Sequence, residues 1–181
     1  MGLRNRHLFK DELCFFITTT CYKWIPLFNT EARKLIISDS LNFISKKYHI
    51  AILGYVIMPN HLHAIFMFKD KNYLSDAMRD FKKYTSTQIR KNIESSQEAG
   101  LLKVIRVDDK QIFKVWQERF DDVCITDIRL LEIKLNYIHL NPLQSHWNLV
   151  EVPEDYLYSS AGFYYKNAPS RVIVEDYRLY F

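Results

Sequence analysis

The feature that most constrains the fold is the stretch HIAILGYVIMPNHLHAIFMF at positions 49–68. It consists of two apolar runs separated by Met58, Pro59 and Asn60. Proline cannot donate a hydrogen bond to a neighbouring strand, and proline followed by asparagine is typical of a turn. The stretch therefore predicts two antiparallel strands joined by a turn.

The segments on either side predict further strands and helices. Residues 13–22 are rich in β-branched and aromatic side chains, which favours a strand. Thr30 is a good N-cap for a first helix, and apolar side chains recur at helical spacing from about residue 74 in a second. Residues 101–107 and 112–116 look like strand pieces.

A third helix is expected after Thr126. It should end at Asn141, because Pro142 cannot extend a helix and pushes the preceding residue away from helical angles. The predicted order is β-α-β-β-α-β with a C-terminal helix. This order indicates the α+β class, with a ferredoxin-like or RRM-like antiparallel sheet that carries helices on one face.

Composition excludes several kinds of protein. A chain of 181 residues that is 48% hydrophobic can bury one core, and no stretch approaches the roughly 20 apolar residues of a membrane span. We therefore expect a cytoplasmic protein without a membrane partner. Three cysteines lack paired spacing and are expected to be free thiols, namely Cys14, Cys21 and Cys124.

The distribution of charge points to a polyanionic partner, although solvated charged faces without a partner explain it equally well. The formal net charge is only +4. Basic residues nevertheless cluster in residues 79–91 and in an N-terminal arm that contains Arg4, Arg6, His7 and Lys10.

His61 and His63 are the first candidate site residues. Side chains two positions apart on a strand point to the same face, so the two imidazoles leave the sheet together while Leu62 points away. This arrangement suits a metal ion. The alternative is a pair of half-exposed histidines without a ligand.

The third helix offers further polar groups. Tyr137 and Asn141 are four residues apart and therefore lie on one helical face. An asparagine oxygen beside two imidazoles suits Mg²⁺ or Mn²⁺, and zinc remains open. The alternatives are that Asn141 only ends the helix before Pro142 and that Tyr137 belongs to the core.

Five blocks of sequence together resemble the single-tyrosine transposases of the HUH endonuclease superfamily, and most of all the REP-associated tyrosine transposases. The likeness runs from the first strand to about Tyr165. It implies one catalytic domain over residues 1–165 and a C-terminal extension over 166–181. The blocks are Met58–His63, Phe81–Tyr84, Trp116–Phe120, Asn136–Pro142 and Pro153–Ser160.

The resemblance implies roles for the candidate residues. His61, His63 and Asn141 would bind a divalent metal ion, Mg²⁺ or Mn²⁺, and Tyr137 would be the nucleophile. Better-known members often have glutamine as the third ligand, and asparagine has a shorter reach. Lys134, one turn before Tyr137, is a candidate for lowering the pKa of the phenol.

The family acts on single-stranded DNA, recognises hairpins and joins the tyrosine to a 5′ phosphate. The resemblance therefore implies a transposase that nicks hairpin-flanked DNA, and a homodimer is compatible with it because some members are dimers. Candidate DNA-binding residues are Arg79, Lys82, Lys83, Arg90, Arg119 and Trp116.

Two other functions remain open from the sequence. One is a catalytically silent hairpin-binding protein of the same fold. The other is a metal-dependent phosphoesterase that acts on RNA or a nucleotide, although the chain has no second His-x-His pair.

Overall fold

The structure is a computed structural model that describes residues 13–70, 72–107 and 113–181. The basic arm expected at Arg4, Arg6, His7 and Lys10 lies outside these ranges.

A four-stranded sheet has the order β2-β3-β1-β4, and all three strand pairs are antiparallel. Its strands are β1 (Cys14–Thr20), β2 (Ile50–Ile57), β3 (His61–Phe68) and β4 (Asp121–Cys124). The predicted hairpin of β2 and β3 is confirmed, with β3 paired on both sides. This is the strand order of the predicted ferredoxin-like arrangement.

Helices connect and cover the strands. They are α1 (Glu31–Lys47), α2 (Leu74–Ser95), α3 (Ala99–Ile105), α4 (Ile128–Leu140) and α5 (Ala161–Lys166). The Thr30 hydroxyl caps α1 by accepting a hydrogen bond from the backbone N–H of Arg33 at 3.4 Å. Asp127 caps α4 in the same way, accepting from the N–H of Leu130 at 2.9 Å. No helix of the described residues is long and apolar enough to cross a bilayer.

Two strand predictions are wrong. Residues 101–107 lie largely in α3, because a short apolar run does not by itself distinguish a helix from a strand. In residues 113–116 only Phe113 and Trp116 form isolated bridges, with Arg106 and Cys21. The fourth strand is instead β4. Its aspartates have low strand propensity, and pairing with β1 stabilises the strand.

Both faces of the sheet are covered. All eight residues of β2 are buried, and both α1 and α4 contact this strand. α1 and α2 pack against each other, whereas α4 lies over the face that carries Gly54 and its partner Ile65. β3 alternates, so His61 and His63 share that second face with Ile65.

Gly54 allows α4 to approach the sheet closely. A Cβ atom at this position would lie 2.5 Å from Leu135 Cδ1 on α4, well inside van der Waals contact. Leu135 is itself buried. The missing side chain therefore sets the distance between α4 and the sheet.

The C-terminal part of the chain covers the outer edge of β2. Backbone N–H groups of Ser160 and Glu175 donate to the carbonyls of Tyr55 and Ile52 at 3.0 Å each. Val172 is fully buried in the core. These bonds satisfy a strand edge that would otherwise be open to pairing with another chain.

Candidate active site

Two histidines of β3 form the floor of the site. The ring centroids of His61 and His63 are 4.7 Å apart, and both side chains are buried. Strand pairing places Thr20 opposite His61 and Thr18 opposite His63. The sheet thus presents both imidazoles on the face over which α4 lies.

Asn60 fixes the protonation pattern of His61. The Asn60 amide nitrogen donates to the backbone carbonyl of Trp24 at 3.2 Å, which defines the orientation of the amide. Its oxygen, which can only accept, lies 2.6 Å from His61 Nδ1. A neutral His61 therefore carries its hydrogen on Nδ1, and the lone pair on Nε2 is left for a ligand.

Thr18 and Phe16 hold His63 from the neighbouring strand. The Thr18 hydroxyl is 2.8 Å from His63 Nδ1, and the Phe16 ring stacks on the imidazole with centroids 5.4 Å apart. Hydrogen bonds of this kind to the second ring nitrogen orient histidines that bind metals.

Burial keeps both imidazoles neutral. It lowers the pKa of His61 to about 4, although interaction with the Asn141 side chain acts in the opposite direction. The pKa of His63 is lowered to about 3, first by burial and then by the charges of His61 and Lys134. Neutral imidazoles at pH 7 can donate their lone pairs to a metal ion.

Three predicted site residues, Lys134, Tyr137 and Asn141, belong to α4 and its C-terminal cap. The Tyr137 ring lies 5.2 Å from the His63 ring and 6.0 Å from the Phe16 ring, measured between centroids. The residue remains 44% exposed, so it is accessible to a substrate. Lys134 places its ammonium 4.9 Å from the centre of the Phe16 ring.

Asn141 keeps helical angles at the end of α4, with φ −57° and ψ −43°, even though proline follows. Its side chain is buried, and within the described part of the chain the Oδ1 atom has no hydrogen-bond partner. A buried amide oxygen without a partner is costly, so it is a good candidate for a ligand atom.

The donor set fits a divalent ion. Nowhere in residues 13–70, 72–107 and 113–181 do three or more His, Cys, Asp or Glu side chains come together in a metal-binding group. On this face, His61, His63 and the Asn141 oxygen are side-chain groups that could hold a metal ion. Two neutral imidazoles and one amide oxygen leave positions for water and a phosphate oxygen.

Sequence reasoning missed three residues that contact the histidines. Thr18 and Asn60 bond to their Nδ1 atoms, and the Trp147 ring lies 6.0 Å from the His61 ring. The signal for Asn60 was its position next to His61. Thr18 could be found only from the strand register, and Trp147 only from the return of the chain after α4.

The basic residues that were predicted to bind DNA differ from one another in burial and in hydrogen-bond partners. The Lys82 ammonium donates to the backbone carbonyls of Gln117 and Glu118, and burial lowers its pKa to about 8. It lines a cavity of about 250 Å³ together with Lys83. Lys83 and Arg119 are exposed.

Arg79 and Arg90 are engaged with acidic neighbours on α2. Arg79 pairs with Asp76 at 2.6 Å and with Asp80 at 3.4 Å. Arg90 lies 3.7 Å from Glu94 and over the Phe113 ring. A nucleic acid would have to compete with these acids for both guanidinium groups.

Trp116 lies in the core and not on a DNA-facing surface. Its ring packs against Phe28 and Phe81, and its N–H donates to the Thr85 hydroxyl at 2.9 Å. Only 5% of the residue is exposed. A tryptophan in an apolar run is usually buried, and here the Thr85 hydroxyl on α2 accepts the hydrogen bond of the indole N–H.

One solved structure shares this architecture, and a second is more distantly similar. A REP-associated tyrosine transposase, determined bound to a REP hairpin, is 18% identical, with a TM-score of 0.57 over 91% of this chain and 87% of that one. A protein described as a transposase from Deinococcus radiodurans is 12% identical, with a TM-score of 0.48 over 70% of this chain and 88% of the other. The first of these two matches shows that the fold is that of a tyrosine transposase.

The family follows from the sequence match. Residues 14–141 match the family model described as "Transposase IS200 like", which is more than half of the chain. The protein belongs to this transposase family, and the resemblance seen in its sequence blocks is confirmed. No curated protein matches the chain significantly.

Proposed function

We propose that the protein is a metal-dependent enzyme that nicks and rejoins single-stranded DNA beside a hairpin, through a covalent 5′-phosphotyrosine at Tyr137. The main support is the meeting of α4 with the histidine face. The Tyr137 ring contacts His63, and the unpartnered Asn141 oxygen belongs to the same helix end.

His61, His63 and Asn141 would hold the divalent ion, Mg²⁺ or Mn²⁺. Bound there, such an ion would supply positive charge to the scissile phosphate and to the departing 3′ oxygen. The residues around it have separate tasks. Asn60 and Thr18 would orient the two imidazoles through their Nδ1 atoms.

Tyr137 would supply the nucleophile. Its phenol oxygen forms a bond to phosphorus while the bond between phosphorus and the 3′ oxygen breaks. The phenol loses a proton and the 3′ oxygen gains one, so no proton is consumed overall. The phosphodiester energy is retained in the phosphotyrosine, and another 3′-OH can therefore reverse the step.

Lys134 is the proposed assisting residue. Its ammonium lies over Phe16, the ring that also contacts Tyr137. An ammonium on this side of α4 would offer positive charge to a phosphate bound beside Tyr137.

The substrate would have to be unpaired, because a phosphate in a regular duplex cannot enter a site on a sheet face. The REP hairpin in the related structure supports a hairpin beside the cleaved strand. Lys82, Lys83 and Arg119 would attract the backbone, together with Arg79 and Arg90 once these leave their acidic partners. Tyr137 and His63 meet within one chain, an arrangement that is compatible with a monomer and with a homodimer.

The decisive experiment incubates the protein with labelled hairpin DNA and Mn²⁺, followed by denaturing gels and mass spectrometry. We expect a nucleotide-bearing peptide that contains Tyr137, and its loss in Tyr137→Phe. Tyr84→Phe, which alters an exposed tyrosine of α2, is the matched control and should react like the parent. Equal cleavage by Tyr137→Phe would refute the proposal, and hairpin binding without cleavage in any metal would leave a silent DNA-binding protein.

A further inference from the structure

Trp24 exposes its indole to solvent beside the candidate site. The residue is 62% exposed, whereas tryptophan is on average one of the more buried residue types. It closes a short turn, Tyr22–Trp24, that follows β1. Within the described ranges no other aromatic ring stacks on it. The position of Trp24 is therefore not explained by packing of the core.

The backbone of this turn is strained. Lys23 and Trp24 have φ angles of 52° and 58°, in the left-handed region that bulky residues rarely adopt. Hydrogen bonds at 2.8 Å hold the start of the turn, from the N–H groups of Cys21 and Tyr22 to the carbonyls of Asn60 and Val115. Strain of this kind is found preferentially at functional sites.

Asn60 links the turn to the histidine face. Its amide nitrogen donates to the Trp24 carbonyl, and its oxygen accepts from His61 Nδ1. The backbone of Trp24 is thus two hydrogen bonds from a proposed metal ligand. A strand of DNA whose phosphate lies at the histidines would pass this turn within a short distance.

We propose that Trp24 is a stacking platform for an unpaired nucleobase next to the cleaved phosphate, and that the ammonium of the exposed Lys23, which lies 5.3 Å from the centre of the Tyr22 ring, contacts an adjoining phosphate. The proposal rests on the proposed function, because it takes single-stranded DNA as the substrate. Stacking on an aromatic ring accepts any base, since every base has a π face. The stacked base would also stabilise the turn at Tyr22–Trp24. Through Asn60 it would stabilise the orientation of His61.

Binding is tested in a Tyr137→Phe background, which prevents cleavage. Fluorescence anisotropy with a labelled hairpin that has single-stranded flanks gives the dissociation constant. Trp24→Ala should weaken binding about 5-fold to 150-fold, whereas Trp24→Phe should retain most of the affinity. Phe43→Ala, which removes an equally exposed ring from α1, is the control and should bind like the parent.

Replacing bases in the DNA identifies the stacked nucleotide. An abasic nucleotide placed in turn at each flank position should, at one position, abolish the difference between the parent and Trp24→Ala. If Trp24→Ala binds every DNA as tightly as the parent, or if its defect is the same at all abasic positions, the stacking platform is refuted.

Trp24→Gly separates DNA binding from folding. Glycine adopts a positive φ without strain, so this variant should unfold at the same or higher urea concentration while it loses DNA affinity. A variant that binds like the parent would overturn the inference. Because none of these measurements uses the phosphotyrosine, a failure of the stacking platform is distinguishable from a failure of the nicking reaction.

Discussion

Gly54 on β2 and Leu135 on α4 are packed so closely that a methyl group at position 54 would lie 2.5 Å from Leu135 Cδ1. The helix that carries Tyr137 and Asn141 therefore lies against a strand position that has no side chain. The placement of the proposed nucleophile therefore depends on this contact.

Gly54→Ala should displace α4 or force Leu135 from its rotamer, at a cost of about 1–3 kcal/mol in the free energy of unfolding. DNA nicking should decrease more than hairpin binding. Leu135→Ala provides the control, because it removes the clashing atoms. The double variant should be destabilised by less than the sum of the two single variants in urea unfolding, whereas additive effects would contradict the steric explanation.

Thr18→Val should weaken metal binding about 10-fold to 100-fold, because it removes the hydroxyl that orients His63. Calorimetric titration with Mn²⁺ measures this effect. Thr19→Val is the matched control, since the Thr19 hydroxyl is buried without a partner among the described residues. It should leave Mn²⁺ affinity unchanged. Equal Mn²⁺ affinity in Thr18→Val and the parent would show that the hydroxyl does not orient the ligand.

Asn141→Leu should separate metal binding from folding. In the metal-free protein the variant removes a buried oxygen that has no partner, so the free energy of unfolding should stay within about 1 kcal/mol of the parent or increase. The rise in melting temperature that Mn²⁺ produces in the parent should disappear. A large loss of stability without metal would indicate that Asn141 has a structural role instead.

The DNA affinity of the protein should fall between pH 7 and 9. Burial lowers the pKa of Lys82 from an ordinary value of 10.5 to about 8, so its ammonium loses the proton over this range. The slope of log affinity against log salt should decrease by about 0.7 for one lost contact to a single strand. The unfolded chain keeps the proton to higher pH, so the contribution of Lys82 to stability increases from pH 8 to 10.5.

Lys82→Arg is the control for this titration. A guanidinium stays charged at pH 9, and the variant should keep a constant salt slope between pH 7 and 9. The same pH dependence in the parent and in Lys82→Arg would assign the titration to another group.

The sequence predicts those parts of the fold that depend on local pattern. The hairpin around Pro59 follows from two apolar runs and a turn. β4 escapes prediction because Asp121 and Asp122 are poor strand formers, and pairing with β1 decides the outcome. The apolar run that became α3 is ambiguous for the opposite reason, since it suits both structures.

Some residues of the candidate site can likewise be predicted from local pattern, and others cannot. The spacing of His61 and His63 predicts that both lie on one face of a strand. The spacing of Tyr137 and Asn141 predicts that both lie on one side of a helix. The partners of the histidines depend on strand register and on how distant loops meet. No local pattern could therefore reveal Thr18 opposite His63, or the hydrogen bond from Asn60 to the distant Trp24.

Tyr137 and Asn141 occupy one continuous element, α4 with its cap. If two copies of the chain exchanged this element, both groups would travel together, and every reaction centre would receive its phenol and its amide from the same donor. Mixing Tyr137→Phe chains with Asn141→Leu chains could then never rebuild a working centre, with or without exchange. Mixing a histidine variant with a tyrosine variant could do so, but only if the element is swapped.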